Sequence, residues 1–170
     1  DWQQSLRTYV ASVLFWNPYA EVQPLIDEFI TLTYGRSAKV VFAYVERMEA
    51  LCDYNRSQFG SEFFLTVADN TDYMIHQSKF WQLGALETSV REIKAEMQAV
   101  ANDGTLTTSE KERLTTELKK VLISPMLTMK FNYEAYYGLA GDKDTFVDEL
   151  KGLISEFPGM SQHANKYGLI

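Results

Sequence analysis

Between Leu114 and Tyr137 the apolar residues keep one spacing: Leu114, Leu118, Val121, Leu122, Met129, Tyr133, Tyr136 and Tyr137. Steps of three, four and seven put such residues on one face of a helix. Thr107-Thr108-Ser109-Glu110 precedes the run and fits a capping box, with a hydroxyl acceptor three residues before a glutamate. At ~1.5 Å per residue, a helix from there to Tyr137 spans roughly 45 Å. An element of that length constrains the remainder, because the other helices must lie along it. Pro125 falls inside the run, lacks a backbone donor, and is predicted to kink the helix or split it in two.

The same period recurs through the chain. Leu6, Val10, Val13 and Leu14, with Trp2 one turn before, predict a first helix over residues 2–16. Pro18 biases Asn17 away from the α region, so Trp16-Asn17-Pro18-Tyr19 reads as a corner. Val22, Leu25, Ile26, Phe29 and Leu32 predict a second helix, and Gly35 supplies its left-handed stop. A third helix is expected from about Ser37 to about Gln58, with Val41, Tyr44, Val45, Met48, Leu51 and Cys52 inward and Glu46 and Arg47 toward water. Residues 59–78, with Phe63, Phe64, Leu65 and Val67, read as an ordered connection packed on the bundle. A fourth helix is expected from about Lys79 to about Asn102, carried by Leu83, Leu86, Val90, Ile93, Met97 and Val100 and closed by Asp103-Gly104. The last runs from about Lys143 to Phe157, with Asp142 as its cap and Phe146, Leu150, Leu153, Ile154 and Phe157 buried. The fold class is therefore all-α: one domain over residues 1–170, an irregular bundle of about six helices with one long proline-kinked helix.

Net charge is −7, which opposes nucleic acid and an anionic membrane surface as partners. No apolar run approaches the ~20 residues of a membrane span. The chain begins at Asp1 with no signal-like segment following, as expected of a processed chain or an excised piece of a longer one. Cys52 is the only cysteine, so there is no internal disulfide framework, and its helical position reads as a buried, inert thiol.

No catalytic, cofactor-binding or metal-binding residue can be named. Asp27 with Glu28, and Asp148 with Glu149, are sequence neighbours and so point apart on a helix. His76 and His163 do not form the Glu-x-x-His pattern of a di-iron bundle, and zinc ligands are too few. Gly-x-Ser-x-Gly and Gly-rich phosphate loops do not occur. Asn55-Arg56-Ser57 is a formal glycosylation sequon within a predicted helix. Trp16, Tyr34, Phe80, Trp81, Tyr133, Tyr136 and Tyr137 could stack on sugar rings, but helical core or an interdomain face is the favoured reading.

Three strings carry a resemblance: Leu6-Arg7-x-Tyr9, Leu14-x-Trp16-Asn17-Pro18, and Val22 through Asp27-Glu28-Phe29 to Tyr34-Gly35-x-x-Ala38. Arg113 through Glu117, Ser124-Pro125-Met126-Leu127 and the Tyr133–Tyr137 aromatics extend it, and the tail from His163 to Gly168 matches loosely. Together they resemble the C-terminal helical region of a bacterial domain-of-unknown-function family of glycoside-hydrolase-like proteins related to α-glucuronidases. Thr33 stands where that family usually has an aromatic. The resemblance implies a non-catalytic accessory domain. Catalysis would belong to a preceding barrel domain of the same polypeptide, polysaccharide would be reached through that parent, and a homodimer is compatible. It also implies a secreted, periplasmic or cell-surface setting and a role in polysaccharide degradation. The alternative is a free-standing helical interaction or oligomerisation module unrelated to carbohydrate.

Overall fold

In the computed structural model, residues 2–60, 63, 78–132, 143–157 and 159 are described. Helix α1 is Trp2–Trp16, α2 Val22–Tyr34, α3 Ala38–Phe59, α4 Leu83–Asn102, α5 Thr108–Asn132 and α6 Lys143–Ser155. Short 3₁₀ turns at Gly35–Ser37 and Ser78–Phe80 precede α3 and α4. Every regular element among the described residues is helical, as the periodicity requires.

The most extensive pairing among them is the α4–α5 hairpin. Its turn is built by two local devices. Asp103 accepts hydrogen bonds from the Thr105 amide (2.7 Å) and hydroxyl (2.6 Å). The expected capping box then forms: the Thr107 amide donates to Glu110 Oε2 (2.8 Å), and the Glu110 amide donates back to Thr107 Oγ1 (3.3 Å). The Thr107 hydroxyl also donates to Glu110 Oε2 (2.6 Å), and this bond first, the amide bond second, holds the Glu110 carboxyl below its ordinary range. Leu114, Leu118, Val121, Leu122, Ile123, Met126 and Met129 line the buried face of α5. Opposite them on α4 lie Leu86, Val90, Ile93 and Val100. Burying one such leucine contributes about 1.5–3 kcal/mol. Pro125 is buried within α5, which runs through it as one helix. The expected continuation to Tyr137 lies outside the described residues, as do Phe64, Leu65, Val67 and the Asp142 cap.

Helix α6 packs on this hairpin through Phe146, Leu150, Leu153 and Ile154, the stripe its sequence predicts. Lys119 pairs with Glu156 and Lys94 with Glu149 at the rim. Helix α3 runs antiparallel to α4. Ser37 donates to Glu96 (2.7 Å), Arg47 donates to Ser89 (2.9 Å) and Glu92 (2.8 Å), and Asn55 donates to the Phe80 carbonyl (2.8 Å). Arg47 therefore lies in the α3–α4 seam rather than in water as expected. Its guanidinium there has a hydroxyl and a carboxylate as partners, so burying it is not penalised.

Helix α4 begins at Leu83, not Lys79, because a 3₁₀ turn carries Phe80 into the core against Phe59 and Phe63. Phe63, in the connection after α3, is buried there. In α2 the inward residues are Ile30 and Tyr34, with Ile26 and Phe29 partly covered. Val22 and Leu32, expected on the core stripe, are exposed. Gly35 ends α2 at φ 51°, a positive value that favours glycine, and its amide donates to Thr31.

Candidate docking surface

The corner between α1 and α2 is closed by Asn17. Its backbone amide donates to Val13 O (2.8 Å), its carbonyl accepts from Ala20 N (3.0 Å), and its side chain accepts from Tyr19 N (3.3 Å). With Pro18 at the next position, the corner is stiff. Below it, Tyr9 packs against Phe29 and donates to Glu28 (2.6 Å), a bond that raises the phenol's pKa. This locks α1 to α2 and turns the end of α1 outward. Phe15 is 82% exposed, Trp16 85% and Tyr19 93%, with the Phe15 and Trp16 rings edge to face.

Charge makes the corner unusual. Residues 8–20 contain no Asp, Glu, Lys or Arg, the longest such run in the chain. On the outward face of α1, Gln4, Thr8, Ala11, Ser12, Phe15 and Trp16 are all exposed. Large exposed aromatics with charge depleted around them are the composition of a protein–protein interface core.

The other candidates do not converge. Tyr34 and Phe80 are in the core, Trp81 is half-buried against it, and Trp16 is the exposed member of the stacking set among the described residues. Tyr133, Tyr136, Tyr137, His76 and His163 lie outside the described residues. The hydroxyl of Tyr34 is buried without a hydrogen-bond partner, and burial with the nearby Glu117 carboxylate raises its pKa. The carboxylate neighbours are divided as expected: Glu28 serves Tyr9, Asp27 accepts from Gln23 (3.0 Å), and Glu149 pairs with Lys94 while Asp148 stays exposed. Among the described residues no group of three His, Cys, Asp or Glu could hold a metal ion, and no helix is long and apolar enough to cross a membrane.

Cys52 corrects the expectation of burial: it is exposed, at the edge of α3. Partial desolvation, then Asp53, push its thiol up rather than down, so it is not an activated nucleophile. The sequon residue Asn55 is buried with its amide nitrogen committed to Phe80, which leaves it unable to accept a glycan.

Two cavities among the described residues bear on this. One of about 480 Å³ lies between the end of α2 and the α4–α5 turn, beside Arg36, Glu110 and Arg113. Its charges are spent on the turn: Arg36 pairs with Asp103, Arg113 donates to Thr33 O, and Glu110 holds Thr107. The other, about 310 Å³, is apolar and lies among Trp2, Leu6, Ile26, Tyr44 and Met48. No family model, curated protein or solved structure matches this chain.

Proposed function

We propose that this chain is a non-catalytic, C-terminal helical accessory domain of a glycoside-hydrolase-like protein, working through protein contacts rather than chemistry of its own. The observation that supports an accessory role is the stiff corner at the end of the uncharged run 8–20, which exposes Phe15, Trp16 and Tyr19. The link to carbohydrate rests on the sequence strings around Trp16-Asn17-Pro18 and Tyr34-Gly35. In this reading a barrel domain of the same polypeptide performs catalysis on polysaccharide, in a secreted, periplasmic or cell-surface setting. Residues 1–170 form one domain, an irregular bundle of about six helices whose long helix bends at Pro125.

Reading the native open reading frame upstream of Asp1 tests this. A barrel-sized region carrying a carboxylate pair is the expected result. A start codon immediately before Asp1 would remove the carbohydrate link. The same exposed corner then favours the second reading, a free-standing helical interaction module.

A further inference from the structure

We infer that the outward face of α1 and the α1–α2 corner form a two-fold interface with a second copy of this chain. The inference rests on reading the corner as a protein-contact surface, and it names the occupant.

Charge selects that occupant. Two copies each carrying −7 repel wherever their acidic faces meet. Exposed Asp and Glu recur on α2 at Asp27 and Glu28, on α3 at Glu46, Glu49 and Asp53, and on α6 at Asp148 and Glu149. Residues 8–20, the longest charge-free run, let two copies touch without opposing like charges, with the exposed Glu21 at the far edge of the corner. A neutral face is complementary to itself, which is what an isologous two-fold contact demands.

The register also fits. Gln4, Thr8, Ala11 and Phe15 follow four-, three- and four-residue steps along the exposed face of α1. In an antiparallel crossing centred near Ala11, the small side chains of Thr8, Ala11 and Ser12 let the two helices approach. Phe15 of each copy then covers Thr8 of the other. Arg7, the one charged residue of α1, lies four positions before Ala11, as Phe15 lies four after it. The two-fold axis therefore brings Arg7 beside the rings of Phe15 and Trp16 across the interface, a cation–π arrangement.

Analytical ultracentrifugation of the full chain, from low micromolar to about 500 µM, tests the inference. The expected result is a reversible dimer that tightens between low and high NaCl, as screening relieves the mutual repulsion. Ala11→Glu and Ser12→Glu each weaken it at least about tenfold by setting like charges beside the two-fold axis. Gln98→Glu, exposed on α4, leaves it unchanged. Circular dichroism checks that each variant stays helical. Should the charged variants fail to fold, Ala11→Cys in a Cys52→Ser background replaces them, and a disulfide-linked dimer is expected on mild oxidation.

A chain that stays monomeric throughout overturns the inference while leaving the corner as a contact for another domain. A dimer indifferent to both Glu variants, or an Ala11→Cys chain that does not cross-link, also overturns it. Conversely, a start codon immediately before Asp1 removes the carbohydrate reading and leaves the dimer standing.

Discussion

Two charge-free stretches of this chain, residues 8–20 and residues 121–129, have opposite fates. In the second, Val121, Leu122, Ile123, Pro125, Met126 and Met129 are buried, so the absence of Asp, Glu, Lys and Arg follows from burial in α5. In the first, Thr8, Ala11, Ser12, Phe15, Trp16 and Tyr19 all face outward. The folded monomer therefore gives a reason for one stretch and none for the other. Burial separates the two stretches, which composition alone does not.

The contrast can be broken most directly in the core. Leu118→Ala, at a fully buried position of α5, should cost about 2–5 kcal/mol in urea-unfolding free energy. A loss below about 1 kcal/mol would mean that the α4–α5 hairpin does not carry the fold. Arg47→Ala leaves Ser89 and Glu92 without their cation in the α3–α4 seam, and should cost about 1–2 kcal/mol by the same assay. If Arg47 instead faced solvent, as its sequence position had implied, the change would be close to neutral.

Thr107→Ala removes the acceptor at the start of α5 and should cost about 1 kcal/mol. Its pH signature sharpens the test. Glu110 has a depressed pKa in the fold, so its contribution is present above the unfolded carboxyl value. That contribution disappears as pH falls through the folded value. Wild type and variant should thus differ at neutral pH and converge in acid, read as the gap between their unfolding midpoints.

The smallest expected effect completes the comparison. Trp16→Ala, at a side chain 85% exposed, should change monomer stability by no more than about 0.5 kcal/mol at dilute concentration. A change as large as that of Leu118→Ala would place Trp16 in the core and erase the distinction between the two stretches.

Local signals in the sequence carried the helical class and most helix ends. Pro18 after Asn17, Gly35, Asp103-Gly104 and the Thr107–Glu110 box act within a few residues of themselves, and each ends or starts a helix where it stands. The stripes of α4 and α6 were equally legible, since each of those helices has a single apolar face, whereas α5 is buried on more than one side and its Ile123 and Met126 lie off the periodic stripe.

Helix α2 was not legible in this way. It is apolar on more than one side, so periodicity could not choose between Val22 and Leu32 on one flank and Ile30 and Tyr34 on the other. That choice was made by where α1, α3 and α5 lie against it. The same holds for Arg47, whose partners are 42 and 45 residues away, and for Asn55, whose acceptor is 25 residues away. It holds also for Cys52, on a stripe whose neighbour Leu51 is buried. Helix formation and capping are near-neighbour energetics, written in consecutive residues. Which of several apolar faces turns inward depends on shape and polar partners supplied by distant segments, and those come together only when the helices pack.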